Sequence, residues 1–510
     1  MLKQTLLLTL TINAAALLSI SQPAYAQINE FKLTASDNAA GDNFGFSISI
    51  SGDYAVVGAR FDDDNGTDAG SAYMFKRTGM SWAQEAKLLP SDGAASDNFG
   101  NSVSISGDYA VVGARRDDDN GSNSGSAYVF KLTGTSWAQE AHLLPSDGAA
   151  FDVFGTSVSI SGDYAVVGAN LDDDNGSNSG SAYVFKRADT SWAQEAKLLP
   201  SDGAASDNFG VSVSISGDYA VVGAESDDVN GFHSGSAYVF KRTGSSWTQE
   251  AKLLPSDGAV EDHFGVSVSI SGDYAIVGSV GDNNYSGSAY VFKRTGTSWA
   301  QEPKLLPSET GPEIDLFGSS VSIYGDYAVV GAPMDDNNGN NSGSAYVFKR
   351  TGSSWTEEAK LIPSDGAAGD EFGWSVSVSG DYAVVGAFGD DDNGENSGSA
   401  FVYSGIIVGI DDEIAGLSAE FSLSQNYPNP FNSETVLRYT LPNSSNLSLV
   451  IYNIIGQEIM RWDEQSTLPG YYEKTWNGTN KFGVPVGSGV YLYRLIAGDF
   501  VETHKMVLLK

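Results

Sequence analysis

Phe99 to Ala150 reads FGNSVSISGDYAVVGARRDDDNGSNSGSAYVFKLTGTSWAQEAHLLPSDGAA, and near-copies of it fill most of the 510-residue chain. Reading one copy therefore reads the fold. The core Gly-Asp-Tyr-Ala begins at Gly52, Gly107, Gly162, Gly217, Gly272, Gly325 and Gly380, at steps of 55, 55, 55, 55, 53 and 55 residues. So regular a period marks a repeat architecture, in which a unit buries its faces only by stacking on its neighbours.

Within the copy, four short strands are predicted. Ser102–Ser106 alternates Val and Ile with Ser, Tyr109–Ala114 is a compact apolar run, Ser126–Lys131 is aromatic and β-branched, and Ser136–Leu144 is longer and more polar. Labelled A to D, they are joined by Ser-Gly-Asp-Tyr between A and B and by Thr-Gly between C and D. Both are tight-hairpin sequences, because glycine takes a positive φ at little cost. Each unit is then a four-stranded antiparallel meander, and seven such sheets arranged radially make a β-propeller. The expected fold class is all-β, a seven-bladed β-propeller followed by a small Ig-like β-sandwich.

The ends of the array point to closure. Strand D, with its Trp and KLLPS-like tail, occurs at Trp82, Trp137, Trp192, Trp247, Trp299 and Trp355, six times for seven units, and the seventh unit stops at Ser404. The missing strand lies at the other end of the chain, where Phe31–Gly45 (FKLTASDNAAGDNFG) aligns with Ala86–Gly100 (AKLLPSDGAASDNFG). The N-terminal segment is expected to complete the last blade and so remove the open sheet edges that invite aggregation.

Meander topology puts the B–C loops and D–A links on one rim and the A–B and C–D hairpins on the other. The first rim collects aspartates such as Asp62, Asp117, Asp172, Asp97 and Asp152; the second collects pairs such as Lys76-Arg77 and Lys186-Arg187. An electrically polarised disc follows. The formal net charge is -36, and residues 27–404 hold 53 acidic and 20 basic residues. Such a surface repels nucleic acid and anionic lipid, so no nucleic-acid partner is expected.

The succession FG, SVSISGDYAVVGA and SGSAYVF resembles the FG-GAP repeat, the unit of the integrin α-chain propeller and of many bacterial exported proteins. The resemblance covers Phe44 to Ser404. Its Phe-Gly pairs are Phe44-Gly45, Phe99-Gly100, Phe154-Gly155, Phe209-Gly210, Phe264-Gly265, Phe317-Gly318 and Phe372-Gly373, and the GAP element is Gly-Ala, with proline only at Pro333. These residues are expected to pack between blades. Integrin-like repeats often carry a calcium loop between FG and GAP, but here that interval is too short. The acidic DDDNG segment follows GA instead, and it departs from DxDxDG spacing at the first ligand, where Phe61, Arg116, Leu171 and Ser226 stand. These segments read first as solvated Asp/Asn/Gly turns. Calcium held by clustered carboxylates and loop carbonyls is the other reading, with Asp63, Asp64, Asn65, Asp118, Asp119, Asn120, Asp173, Asp174, Asn175, Asp336, Asn338, Asp391 and Asn393 as its candidate ligands.

The remaining segments speak about export. Residues 1–26 combine Lys3, an apolar stretch from Leu6 to Ile20 and Ala24-Tyr25-Ala26, the pattern of a Sec signal peptide. No other stretch is apolar and long enough to span a bilayer. Residues 27–404 form the propeller, 405–420 a linker, and 421–510 a β-rich segment with Pro-, Gly- and Asn-rich breaks. That last segment resembles the C-terminal sorting domain of type IX secretion substrates through Asn426-Tyr427-Pro428-Asn429-Pro430-Phe431, Tyr452-Asn453-Ile454-Ile455-Gly456, Gly487-Ser488-Gly489-Val490-Tyr491 and Lys505-Met506-Val507. The resemblance implies handling by the type IX machinery and display at the outer-membrane surface or release. The alternative is a resident Ig-like module.

No catalytic constellation stands out. His142, His233, His263 and His504 occupy unrelated positions, with His142 replacing the lysine found at Lys87 and Lys197. The repeated tryptophans read as packing. The expectation is a non-enzymatic adhesion or binding module for an extracellular protein or glycan, with the acidic rim as its ligand surface. A structural spacer, or an enzyme acting on polysaccharide within the channel, is the alternative.

Overall fold

Seven four-stranded antiparallel sheets, followed by a three-stranded and a four-stranded one, account for the strands of this computed structural model. It describes residues 28–308, 314–406 and, apart from 424–425, 427–428, 433, 442–444, 468–469, 483 and 499, residues 422–509. The expected signal peptide and residues 407–420 of the expected linker lie outside the described residues. The chain separates into two compact units, one spanning Gln27–Ile407 and the other containing Val408–Lys510.

Blade 2 carries the expected meander, with strands Phe99–Ser106, Tyr109–Ala114, Ser126–Thr133 and Ser136–Leu143. Strand A begins three residues earlier than its alternating pattern, because Phe99 pairs with Ala114 of the same blade across a register shift between Phe99 and Ser102. Phe99 forms a parallel bridge to Gly70 of blade 1, and the same bridge recurs between Phe154 and Gly125 and between Phe209 and Gly180. The Phe99 ring is fully buried and meets Tyr128 and Phe130 edge-on at 5.6 and 6.0 Å. Edge-to-face pairs of this kind contribute about 1 kcal/mol each beyond the area they bury.

The two glycines that name the repeat meet across the blade interface. A Cβ on Gly58, the glycine of Gly-Ala in blade 1, would lie 2.1 Å from the carbonyl oxygen of Gly100, the glycine of Phe-Gly in blade 2. Gly113 and Gly155 repeat the contact at 2.1 Å, and Gly386 and Gly45 at 2.0 Å. Only glycine permits so close a backbone approach. Ser47 fastens the seam by donating its hydroxyl to Gly100 O at 2.7 Å.

Closure follows the expected route. Asn29–Leu33 pairs antiparallel with Ser399–Ser404 in the register Asn29↔Ser404 to Leu33↔Ala400, and so supplies the outer strand of blade 7. Between blades 7 and 1 the ordinary seam is reproduced: Phe44 bridges Gly398, Ser375 Oγ donates to Gly45 O at 2.8 Å, and Ile50 N donates to Ser377 Oγ at 3.1 Å. Gly405 and Ile406, expected in the linker, continue from blade 7, and Ile406 is buried in its core.

The tryptophans of strand D are interface residues. Trp137 packs on Tyr54 of the preceding blade at 5.7 Å and donates its indole N–H to Glu85 at 3.3 Å; Trp192 repeats this with Tyr109 and Glu140.

In the second unit, Thr435–Leu441 pairs with Ser422–Leu423 and Gly470–Trp476, while Ser445–Asn453 lies between Glu458–Thr467 and Gly489–Ala497, with Phe500–Leu508 at the edge. The two sheets share one core, in which Leu437, Tyr439 and Trp476 meet Leu449, Ile451 and Tyr493.

Candidate functional site

Among the positions that vary between repeats, two contribute to the lining of the ring centre. The residue after each Phe-Gly pair is Phe46, Asn101, Thr156, Val211, Val266, Ser319 and Trp374 in turn, and the residue two after each glycine of the Gly-Ala element is Arg60, Arg115, Asn170, Glu225, Val280, Pro333 and Phe388. The A strands pack against one another around the axis, as the bonds from Ile105 N to Ser49 Oγ at 3.2 Å and from Ile160 N to Ser104 Oγ at 3.1 Å record. At the axis lies a cavity of about 640 Å³. All seven residues that follow Phe-Gly line it, together with Arg115, Asn170, Glu225 and Val280.

The lining is lopsided. Where blades 7 and 1 meet, Phe46, Trp374 and Phe388 form an aromatic cluster with centroid separations of 4.9 to 5.7 Å. The Arg60 guanidinium lies 3.6 Å from the centre of the Phe46 ring. Burial and the charges of Arg115 and Arg116 push Arg60 down to about 10, so it is still a cation at neutral pH. Burial and Arg116 also lower Arg115. Among the described residues no carboxylate forms an ion pair with any of these three arginines, and Arg60 Nε and Arg115 Nε are shielded from solvent without a hydrogen-bond partner. In a unit so rich in acid this is a distinctive arrangement. Elsewhere in the lining, Asn101 Oδ1, Asn170 Oδ1 and Ser319 Oγ are buried without partners. Glu225 is the single carboxylate in the lining, and burial pushes it up.

The acidic rim is less bare than its composition. Lys87 Nζ lies 2.9 Å from Asp37, 2.9 Å from Asp62 and 2.5 Å from Asp64, above the ring of Tyr73, whose hydroxyl donates to Asp62 at 2.6 Å. Burial alone would lower Lys87, but its bonds to Asp64, Asp37 and Asp62 outweigh that and raise it. Lys197 repeats the arrangement with Asp147, Asp172 and Asp174, and Lys32 of the closing strand with Asp365, Asp390 and Asp392. On the opposite rim Arg77, Arg187, Arg242, Arg294 and Arg350 pair with Asp53, Asp163, Asp218, Asp273 and Asp326 of the A–B hairpins. Local pairing therefore blunts the polarisation expected from residue positions alone.

The calcium ligands proposed from sequence are put to several local uses. Asp63, Asp118, Asp173, Asp336 and Asp391 accept the backbone N–H five residues on, at 2.6 to 2.8 Å, and close their own turns. Asp64 and Asp174 face lysine, and Asp119 faces His142. The backbone N–H groups of Asn120, Asn175, Asn338 and Asn393 donate to Ser124, Ser179, Ser342 and Ser397. Asn65 sits beside Gly93 of the next link. Each group of candidates belongs to a separate blade loop.

Sequence reasoning passed over the lysine cradle and the channel for different reasons. Lys87 is 25 residues from Asp62 and 50 from Asp37, distances at which no local pattern is visible. The channel residues are marked by variation within an otherwise constant repeat, and a comparison of the seven copies position by position finds them.

The family model described as FG-GAP repeat matches residues 28–75, 82–130, 137–185, 192–240, 247–292, 299–348 and 355–403. A second, described as secretion system C-terminal sorting domain, matches residues 425–509 and implies handling by the type IX machinery. Among solved structures the chain is similar to PorZ of Porphyromonas gingivalis, an essential surface component of the type IX secretion system, at 12% identity and a TM-score of 0.41, covering 94% of this chain and 61% of that one. It is also similar to a protein from Lactobacillus plantarum at 14% identity and a TM-score of 0.41, covering 64% of this chain and 86% of that one. No curated protein matches.

Proposed function

The chain belongs to the FG-GAP repeat family, and from that premise we propose that it is a non-catalytic surface binding module that holds an acidic glycan in the channel of its propeller. The C-terminal unit, which we read as an Ig-like sandwich, serves as the sorting signal that delivers the propeller to the outer-membrane surface or beyond it. One observation carries the ligand assignment: Arg115, without an acidic partner, lines the same cavity as Phe46 and Trp374, and the likewise unpaired Arg60 lies on the Phe46 ring. Guanidinium groups match the geometry of carboxylate and sulfate, and aromatic faces take the apolar face of a sugar ring. A volume near 640 Å³ is ordinary for a small-ligand site.

A non-catalytic role agrees with the lining. Glycoside cleavage in most families uses a pair of carboxyl groups flanking the bond, and Glu225 has no second carboxylate beside it among the lining residues. The test is a glycan array probed with the full chain and with Arg115→Gln and Trp374→Ala. Binding confined to uronic-acid or sulfated glycans, weakened at least tenfold in both variants, is the expected result. Binding that both variants retain would place the ligand elsewhere, and a blank array would favour the spacer reading.

A further inference from the structure

We propose that blade 2 carries a divalent transition-metal site of the zinc class, formed by His142, Asp92 and Asp119. Six blades place a lysine ammonium against the aspartate at the start of the B–C loop: Lys87 on Asp62, Lys197 on Asp172, Lys252 on Asp227, Lys304 on Asp282, Lys360 on Asp335 and Lys32 on Asp390, at 2.6 to 3.0 Å. Each of these positions is a cradle built for a cation. Blade 2 keeps the cradle and changes the occupant, because His142 stands where the lysine would be.

The carboxylates hold their usual places in blade 2. Asp117 is buried, accepts the Tyr128 hydroxyl at 2.7 Å and accepts the backbone N–H of Asp119 at 2.9 Å. Asp62, Asp172, Asp227 and Asp335 make the same two bonds and add an ammonium. Asp92 Oδ2 lies 3.4 Å from His142 Nδ1, and Asp119 Oδ2 lies 3.5 Å from His142 Nε2. One ligand atom from each of the three residues falls within 4.8 Å of the others. The two contacts run to different ring nitrogens, so an ion would take one nitrogen only. The three-atom set spans up to 4.8 Å, wider than the roughly 3.4 Å edge of a tetrahedral shell with bonds near 2.1 Å, and the two exposed carboxylates would rotate inward to close it. The imidazole is already oriented, since it stacks on Tyr128 at 4.3 Å and 8°. Its Nε2 is shielded from solvent and has no hydrogen-bond partner.

One nitrogen and two carboxylate oxygens suit zinc or a neighbouring first-row divalent ion, with water completing the shell. The ion would supply the positive charge that the lysine brings in the other blades. Magnesium and calcium, which favour all-oxygen shells, are the poorer match.

Calorimetric titration of the full chain with Zn²⁺ tests the site, using His142→Lys and Asp119→Asn. The lysine variant rebuilds the pattern of the other six blades, so its melting temperature without metal reports an intact fold. Wild type is expected to bind one more equivalent of Zn²⁺ than His142→Lys, and Asp119→Asn is expected to weaken that equivalent at least tenfold. Zn²⁺ should raise the melting temperature of wild type more than that of His142→Lys. The neighbouring His233 and His263, whose rings are 5.6 Å apart, are present in all three proteins and cancel in the comparison. Equal stoichiometry and affinity in all three would overturn the assignment.

Discussion

Val153 is the residue at which this repeat is least at ease. The position before each Phe-Gly pair is left-handed in every blade, and Asn43, Asn98 and Asn208 take it with φ of 55°, 55° and 56°. Asparagine tolerates that region, whereas a β-branched residue there is a genuine outlier. Blade 3 has Val153 at φ 51°. Val153→Asn should therefore stabilise the protein by about 1 kcal/mol, read as a rise in the denaturation midpoint. The glycines separate in the same way. Gly155 has φ +88° and a Cβ there would sit 2.2 Å from Ser126 O, whereas Gly162 has φ +58° and nothing within 4 Å. Gly155→Ala should cost about 3 kcal/mol and Gly162→Ala about 1 kcal/mol, by chemical denaturation. Similar costs at the two sites would mean that the glycine seam gives way more easily than its geometry implies.

At the scale of the element, the strand that ends the ring is the one to remove. Deleting residues 28–33 takes away the partner of Ser399–Ser404, the buried Leu33 and the three carboxylate bonds of Lys32. The expected loss is about 3 kcal/mol or more, accompanied by self-association through the bared edge, visible in thermal melts and light scattering. An unchanged monomer with unchanged melting would contradict the role of this strand. This element was also among the most legible in the sequence, because FKLTASDNAAGDNFG aligns with the strand D region of the other blades. The ends of strand B were equally plain, since Tyr109–Ala114 is apolar throughout and hairpin glycine marks its start. Strand A was misjudged at its start because Phe99 rejoins the ladder opposite Ala114 beyond a register shift, which alternation does not reveal. The channel was illegible for a deeper reason: periodicity draws the eye to constant residues, and constancy here serves packing while difference serves the site.

For the whole molecule, acidity and stability are linked with a definite sign. Burial, reinforced by neighbouring carboxylates and only partly offset by a backbone N–H, raises Asp42, Asp97, Asp152, Asp207 and Asp370 from 3.8 to about 6. Between those values the folded chain holds protons that the unfolded chain has released, so folding weakens as pH rises through this window. Burial would also raise Asp62, Asp227, Asp282 and Asp335, but hydrogen bonds from lysine, tyrosine and, in most cases, serine outweigh it and hold them low. Their contribution is present above 3.8 and fails in stronger acid. Melting temperature should therefore be higher at pH 5 than at pH 7.5 and fall again below pH 4, by scanning calorimetry in low salt. A monotonic rise from pH 5 to 7.5 would contradict the raised aspartates.

The closing strand also sets an order of events in time. Glu30 meets Tyr403 across 373 residues of chain. A chain emerging from its N-terminus carries half of its final hairpin for almost the whole of the propeller before the other half exists. Contacts so far apart in sequence are slow to form. Individual blades can form as they emerge, but the ring cannot be sealed until residue 404 has been made, so the last contact to form is the one that joins the two ends of the propeller.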